Sequence, residues 1–424
     1  MRKIMFFIFL GLFIAQFGDG FARSLGVDEA IGLVLEESQD IRKAEANVRR
    51  MDAILTAAAA ARWPKLDATA SYQTNAFGLP IQASASASVP AAIDNIGALG
   101  VSASMPIYSF GKIGYALDMA RGGVEIAKKS RELAEIETRA AAVQLYWTAK
   151  VTDESVRVAE KSLKNTKNAQ RQLTATGRAN RSNLVKIAAD VAAREIDLEN
   201  AKFNRDSAHR MLKVYAGIGE YEPMVLTSDF PNSFAAKTKK EINPLEWHIY
   251  ELQAKIADAE KRQNYAGYLP TIAATGSYNY LRLSDSLENI GSFYPALKSS
   301  NVGISVTMPL FDAGARMAQA TASAMNAISA REDLDKSRKI KTAEYNELIQ
   351  KHAHLRQSLK DILRAKDLAE KAYDLSKSRF LAGQTSATEL SDVERTMSQM
   401  EMAVFNAKLQ ILTTEESIRK YETR

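Results

Sequence analysis

"SVTMPLFDAGAR", residues 305–316, combines an alternating apolar run, a Met-Pro, an aromatic residue and a glycine, and residues 102–113, "SASMPIYSFGKI", follow the same plan. Met105-Pro106 and Met308-Pro309 stand 203 residues apart, as do Gly111 and Gly314. Other landmarks recur. "WPKLDATASY" (63–72) matches "LPTIAATGSY" (269–278), with Pro64 and Pro270 separated by 206 residues. The same 206 separates Gly177 in "ATGRANRSNL" from Gly383 in "LAGQTSATEL", and Leu184 from Leu390. An offset that drops by three and then recovers is expected of a duplicated unit whose insertions are confined to loops.

Each unit reads as helix, extended segment, loop, extended segment, very long helix, glycine turn, helix. The first repeat spans 23–216 and the second 244–424, joined by an irregular stretch, 217–243, with Pro223 and Pro231. The opening helix is expected over about 28–61, ended by Pro64, which disfavours helix in the residue before it. A polar-apolar pattern over 115–175 contains Leu133, Ile136, Ala140, Val143 and Trp147 at spacings of three and four, a helical stripe. The second long helix, 316–381, shows Leu355, Ile362 and Ala369 at sevens, a coiled-coil heptad. Helices of this length are rods of roughly 90 to 100 Å. The shorter helices, 28–61 and 182–215, then 244–267 and 388–422, come in pairs whose summed lengths match the long ones. Two stacked short helices alongside each long one give four full-length staves.

The extended segments alternate. In the hairpin 65–108, Leu66, Ala68, Ala70 and Tyr72 interleave with Asp67, Thr69, Ser71 and Gln73. In the hairpin 270–311, Val302, Ile304, Val306 and Met308 interleave with Gly303, Ser305, Thr307 and Pro309. Period two gives one apolar and one small polar face, and aromatics near the ends (Tyr72, Phe77, Tyr108, Tyr278, Tyr280, Phe311) fit transmembrane β-barrel strands. Four strands cannot close a roomy barrel, and open edges in lipid leave backbone groups unpaired. Several copies must therefore close the sheet together. The opening motif becomes a joint: Pro106 and Pro309 weaken pairing, and Gly111 and Gly314 permit the bend from strand to helix.

The rest of the sequence narrows the class. Residues 1–22 have Arg2 and Lys3, an apolar run and small residues ending at Ala22, the plan of a cleaved secretory signal. No later segment has 18 uninterrupted apolar residues. Cysteine is absent, which removes disulfides and thiolate chemistry. The net charge of +6 comes from 56 basic residues interleaved with 50 acidic ones, so a solvated helical surface is expected and no nucleic-acid partner. His352 and His354 fall about 200° apart on a helix and cannot share a metal as an i, i+4 pair could. His209 and His248 have no assignable partner, and "GKIG" (111–114) lacks the frame of a phosphate loop. No nucleophile, base, metal or cofactor site emerges, so the chain does not read as an enzyme.

With "LP" before a strand, "MPLFDAG" after the return strand, a long helix and "AGQTSATEL" at the turn, the chain resembles the TolC-like outer membrane efflux proteins over nearly its whole length. The resemblance implies a mainly α fold with transmembrane β: a duplicated unit whose helical coiled-coil barrel continues a 12-stranded β-barrel shared by a homotrimer. It implies an outer-membrane location among lipid, extending into the periplasm. It also implies a passive exit duct for efflux or type I secretion, fed by an inner-membrane transporter through a periplasmic adaptor. The linker 217–243 would match the family's small equatorial region, and the missing cysteine its unlipidated branch. The competing reading is a soluble periplasmic coiled-coil adaptor or binding protein.

By the same resemblance, Glu389 and Asp392 match acidic residues that ring the periplasmic mouth. They stand at i and i+3, on one helical face, and threefold symmetry would gather six carboxylates. The local sequence "SATE" reads equally as a capping box, with Ser386 as N-cap. Phe380 matches an aromatic gate position, whereas Thr385 stands where the family has a gating arginine. Gly177, Arg178, Arg181 and Gly383 mark the two tips, where the family meets its adaptor; exposed arginines there could equally be merely solvated.

Overall fold

The computed structural model of the chain describes residues 23–79, 93–175, 181–231, 233–234, 242–284 and 297–422. The expected signal segment, Gly177 and Arg178 lie outside the described residues. In chain order the elements are β1 (Arg23–Leu25), α1 (Val27–Glu37), α2 (Gln39–Ala60), β2 (Lys65–Leu79), β3 (Ile93–Tyr108), α3 (Lys112–Ala175), α4 (Arg181–Tyr215), β4 (Met224–Leu226), α5 (Leu245–Ala266), β5 (Thr271–Ser284), β6 (Leu297–Thr307), α6 (Ala315–Leu381) and α7 (Ala387–Arg419), followed by a 3-10 turn, Lys420–Glu422.

Two expectations are corrected. The opening helix is not continuous, because Ser38 leaves it with ψ 118°. The Ser38 hydroxyl then accepts from the backbone of Ile41 at 3.3 Å and starts a second helix. Nor are the insertions confined to loops. Helix α3 has 64 residues and α6 has 67, each beginning one residue after its joint glycine and ending two before its tip glycine. The three extra residues are thus inside an unbroken helix.

The chain forms two compact units, each drawing on both repeats: Met1–Ile41, Glu135–Glu241 and Tyr345–Glu422 in one, Arg42–Ala134 and Ile242–Glu344 with the chain end in the other. The second unit holds the four-stranded antiparallel sheet, in the order β2-β3-β5-β6. Leu66 faces Ala103, Val101 faces Tyr278 and Gly276 faces Val302, so over the half of the sheet next to the helix junctions one face carries the large apolar residues, whereas Ile96, Leu281 and Leu297 at the far end lie on the other face. Thr69 opposite Gly100, Ser102 opposite Ser277 and Thr275 opposite Gly303 share the other. Leu66, Leu99, Val101, Val302, Ile304 and Val306 are all exposed on the apolar face. All four helix junctions lie at one end of the sheet.

The first unit has a core of Leu25, Ile31, Val34, Val143, Tyr146, Trp147, Leu212, Met224 and Leu226. The linker is less irregular than the sequence suggests, since β4 pairs in parallel with β1. The buried Tyr146 hydroxyl fastens both strands, donating to the Leu25 carbonyl at 3.1 Å and accepting from the Ser228 amide at 3.0 Å. Phe230 stacks between Trp147 and Phe405, at 4.9 and 5.7 Å between ring centroids.

Candidate functional site

Both joints have the same backbone. Phe110 and Gly111 have φ of 48° and 88°, and Ala313 and Gly314 have 54° and 89°. Two successive residues with positive φ carry the chain from strand to helix. The glycines adopt this at little cost, whereas Phe110 and Ala313 are held there at a cost of about 1–2 kcal/mol each. Sequence reasoning found the glycines and missed their neighbours. Pro106 remains within the ladder, opposite Ala273, with a register shift before Tyr108, whereas Pro309 lies beyond β6.

Side chains fix each joint differently. Asp312 accepts from the backbone of Arg316 at 3.1 Å and from its Nε at 2.6 Å, and Arg316 Nη1 donates to the Pro309 carbonyl at 2.8 Å. At the first joint Ser109 accepts from the Ile113 amide at 3.4 Å in the same helix-starting role. Lys112 Nζ donates to the Leu269 carbonyl at 2.8 Å and to Thr271 Oγ1 at 2.9 Å, tying the first repeat's long helix to the second repeat's strand β5.

The α6–α7 turn is a Schellman motif. Gly383, with φ 73°, donates its amide to Phe380, and Gln384 donates to Arg379 at 2.8 Å. Ser386 then caps α7, accepting from the Glu389 amide at 3.1 Å, and the Thr385 hydroxyl donates to the Glu389 carboxylate. Glu389 and Asp392 are exposed, and Asp392 pairs with Arg395 at 3.4 Å. Phe380 is buried among Ile187, Tyr373 and Leu390, a packing position within the protomer. Arg181 opens α4 and is exposed.

An ionisable layer that the sequence reading missed lies along α7. Leu390, Met397, Val404, Ile411 and Ile418 recur at sevens and are buried. The other seam of the same heptad holds Ala387, Glu394, Glu401, Lys408 and Glu415. Glu394, only 2% exposed, accepts from Ser162 Oγ at 2.8 Å and Ser398 Oγ at 3.0 Å, with Arg194 Nη2 at 3.6 Å. Glu401, 6% exposed, accepts from Arg157 and Lys161, each at 3.0 Å. Burial pushes the Glu401 carboxyl up, but the hydrogen bonds and charges of Lys161 and Arg157 outweigh it and hold the group below its ordinary value. Tyr373 is pushed up to about 12 by burial and by the charges of Glu394 and Asp374. His352 Nε2 lies 3.0 Å from Glu415 Oε1, and His209, for which the sequence offered no partner, is 2.9 Å from Asp153 Oδ1. The signal available in the sequence was the heptad itself, with acids at three of the five positions of one seam, Glu394, Glu401 and Glu415. Among the described residues no group of three or more His, Asp or Glu is placed to hold a metal ion.

The sequence matches the family described as outer membrane efflux protein over residues 30–217 and 250–421. The chain belongs to this family. No curated protein matches it. Its fold is shared with solved structures of low identity. The Campylobacter jejuni CmeC outer membrane channel is 16% identical over 93% of this chain and 85% of that one, with a TM-score of 0.80. VceC from Vibrio cholerae is 15% identical over 92% and 94%, with a TM-score of 0.76. The open state of the Neisseria gonorrhoeae MtrE channel is 18% identical over 93% and 88%, with a TM-score of 0.72. This outer membrane efflux protein therefore has the TolC-like fold anticipated from its duplicated motifs. By family it is an outer membrane efflux protein.

Proposed function

We propose that the protein is the passive exit duct of a tripartite efflux or type I secretion machine. As a homotrimer it receives substrates from an inner-membrane transporter through a periplasmic adaptor. The observation that carries this reading is a sheet with an exposed apolar face and two edges, β2 and β6, that each pair on one side only among the described residues. In lipid every unpaired backbone group costs several kcal/mol, so the edges must join those of other copies. Three copies of four strands make a 12-stranded barrel, within the range known for outer-membrane barrels. The exposed apolar face also disfavours a soluble adaptor.

A second surface supports association. Val185, Ile196, Phe203 and Val214 are exposed on α4, and their spacings of 11, 7 and 11 place them within about 20° of one line. A stripe of that length on a periplasmic helix fits burial against a neighbouring copy. Mass measurement of the detergent-solubilised protein is expected to give three copies, and Phe203→Glu to shift it towards monomer. A monomeric wild-type protein, or recovery in the soluble periplasm, would overturn the reading.

A further inference from the structure

We propose that Tyr280, Arg282 and Lys298 form a binding site for the phosphorylated headgroup of an outer-leaflet glycolipid of the lipid A type. The inference rests on the reading above, that the apolar sheet face meets lipid. The register carries it. Leu99 faces Tyr280, which faces Lys298, and Gly97 faces Arg282. Arg282 and Lys298 therefore project from the same face as Val101, Tyr278 and Ile304, the face that would otherwise be wholly uncharged on β5 and β6: Ile272, Ala274, Gly276 and Tyr278 precede Arg282, and Val306, Ile304, Val302 and Ser300 lead to Lys298.

Depth decides what these cations can meet. From Ile272 to Arg282 is ten residues, about 34 Å along the strand. At the usual barrel tilt that is about 26 Å along the membrane normal, against an apolar band about 25 Å tall. Arg282 thus lies at headgroup level, at the sheet end remote from the helix junctions, which is the outer leaflet for a protein whose helices enter the periplasm. Lys298 is slightly deeper, within reach of the same level by extending its stem.

The site is also pre-arranged. Arg282 Nε donates to the Tyr280 hydroxyl at 3.0 Å, and the guanidinium lies 5.8 Å from that ring's centroid. Lys298, on the adjacent strand opposite Tyr280, is exposed and makes no hydrogen bond or ion pair among the described residues. Diagonal neighbours on a sheet are about 7–8 Å apart, so a phosphate group can lie between the two cations.

The full-length protein, purified in mild detergent, would be offered diphosphoryl lipid A, its dephosphorylated form, or phosphatidylglycerol, and retained lipid counted by native mass spectrometry. Wild type is expected to retain diphosphoryl lipid A, and the Arg282→Gln/Lys298→Gln protein about tenfold less. Undiminished retention by the double variant overturns the proposal, as does equal retention of phosphatidylglycerol or of the dephosphorylated lipid. A parallel probe separates this from failure of the membrane reading. The chain has no natural cysteine, so Val302→Cys can carry a single fluorophore in vesicles with brominated acyl chains. Absent quenching removes the membrane reading and the site together; strong quenching with unchanged lipid retention removes the site alone.

Discussion

Ser162 on α3 donates a 2.8 Å hydrogen bond to Glu394 on α7, and the same carboxylate oxygen lies 3.6 Å from Arg194 on α4. Three helices thus meet at one acid whose side chain is 3% exposed, beside an arginine at 12%. Removing one partner of a buried pair costs more than removing both. Arg194→Ala is therefore expected to lose about 3 kcal/mol, and Arg194→Ala/Glu394→Leu to recover much of it. Thermal unfolding followed by helical circular dichroism checks the ordering, and an equal loss in the single and double variants would contradict it.

Glu401 makes stability depend on pH. Its folded-state pKa is lowered, so its contribution is complete above the ordinary value of 4.5 and is lost as pH falls through the folded value. Arg157 and Lys161 are about half exposed, which limits the effect to about 1 kcal/mol. Glu401→Gln should lower the melting temperature at pH 7 and leave it nearly that of wild type at pH 3. A constant gap across that range would remove Glu401 as the titrating group.

The two joint glycines should respond unequally. Gly111 and Gly314 share a φ near 90°, so alanine is strained at either, by about 1–2 kcal/mol. A Cβ on Gly111 would also lie 2.9 Å from the Tyr115 ring, whereas nothing lies within 4 Å at Gly314. Gly111→Ala is expected to be the more destabilising, and Tyr115→Ala to narrow the difference. Melting temperatures of wild type, Gly111→Ala, Gly314→Ala, Tyr115→Ala and Gly111→Ala/Tyr115→Ala test this, and equal losses at the two glycines would contradict it.

Glu389 and Asp392 are exposed at the start of α7, and among the described residues Asp392 pairs with Arg395 whereas Glu389 makes no ion pair. If the proposed trimer gathers these six carboxylates at one constriction, they would favour cations. Glu389→Gln/Asp392→Asn is expected to lower the cation-to-anion permeability ratio in bilayer recordings. Because Glu389 also accepts the Thr385 hydroxyl at the helix cap, the melting temperature should be read on the same protein. A lower melting temperature with unchanged selectivity assigns the pair to capping alone.

The strands and long helices were legible because each writes one periodicity over many residues, from Leu66 to Gln73 at period two and along α3 at spacings of three and four. The tip glycine Gly383 was legible because positive φ selects glycine. The ionisable seam was not, because Glu394 and Glu401 look like solvated helix surface until Ser162, Arg157, Lys161 and Arg194 arrive from elements far away in sequence. The strand pair β1 and β4 was too short to carry a pattern, and its stability comes from Tyr146. The break at Ser38 was hidden because helical periodicity continues on both sides of it.

The three residues by which α6 exceeds α3 have a consequence for symmetry. They advance a helix by about 4.5 Å and turn its faces by about 300°, and in a heptad register they locally overwind the supercoil. Positions equivalent at the two joints therefore do not stay equivalent along α3 and α6, however alike the joints are. In the trimer proposed above, that difference between the repeats would reduce six-fold likeness to three-fold symmetry.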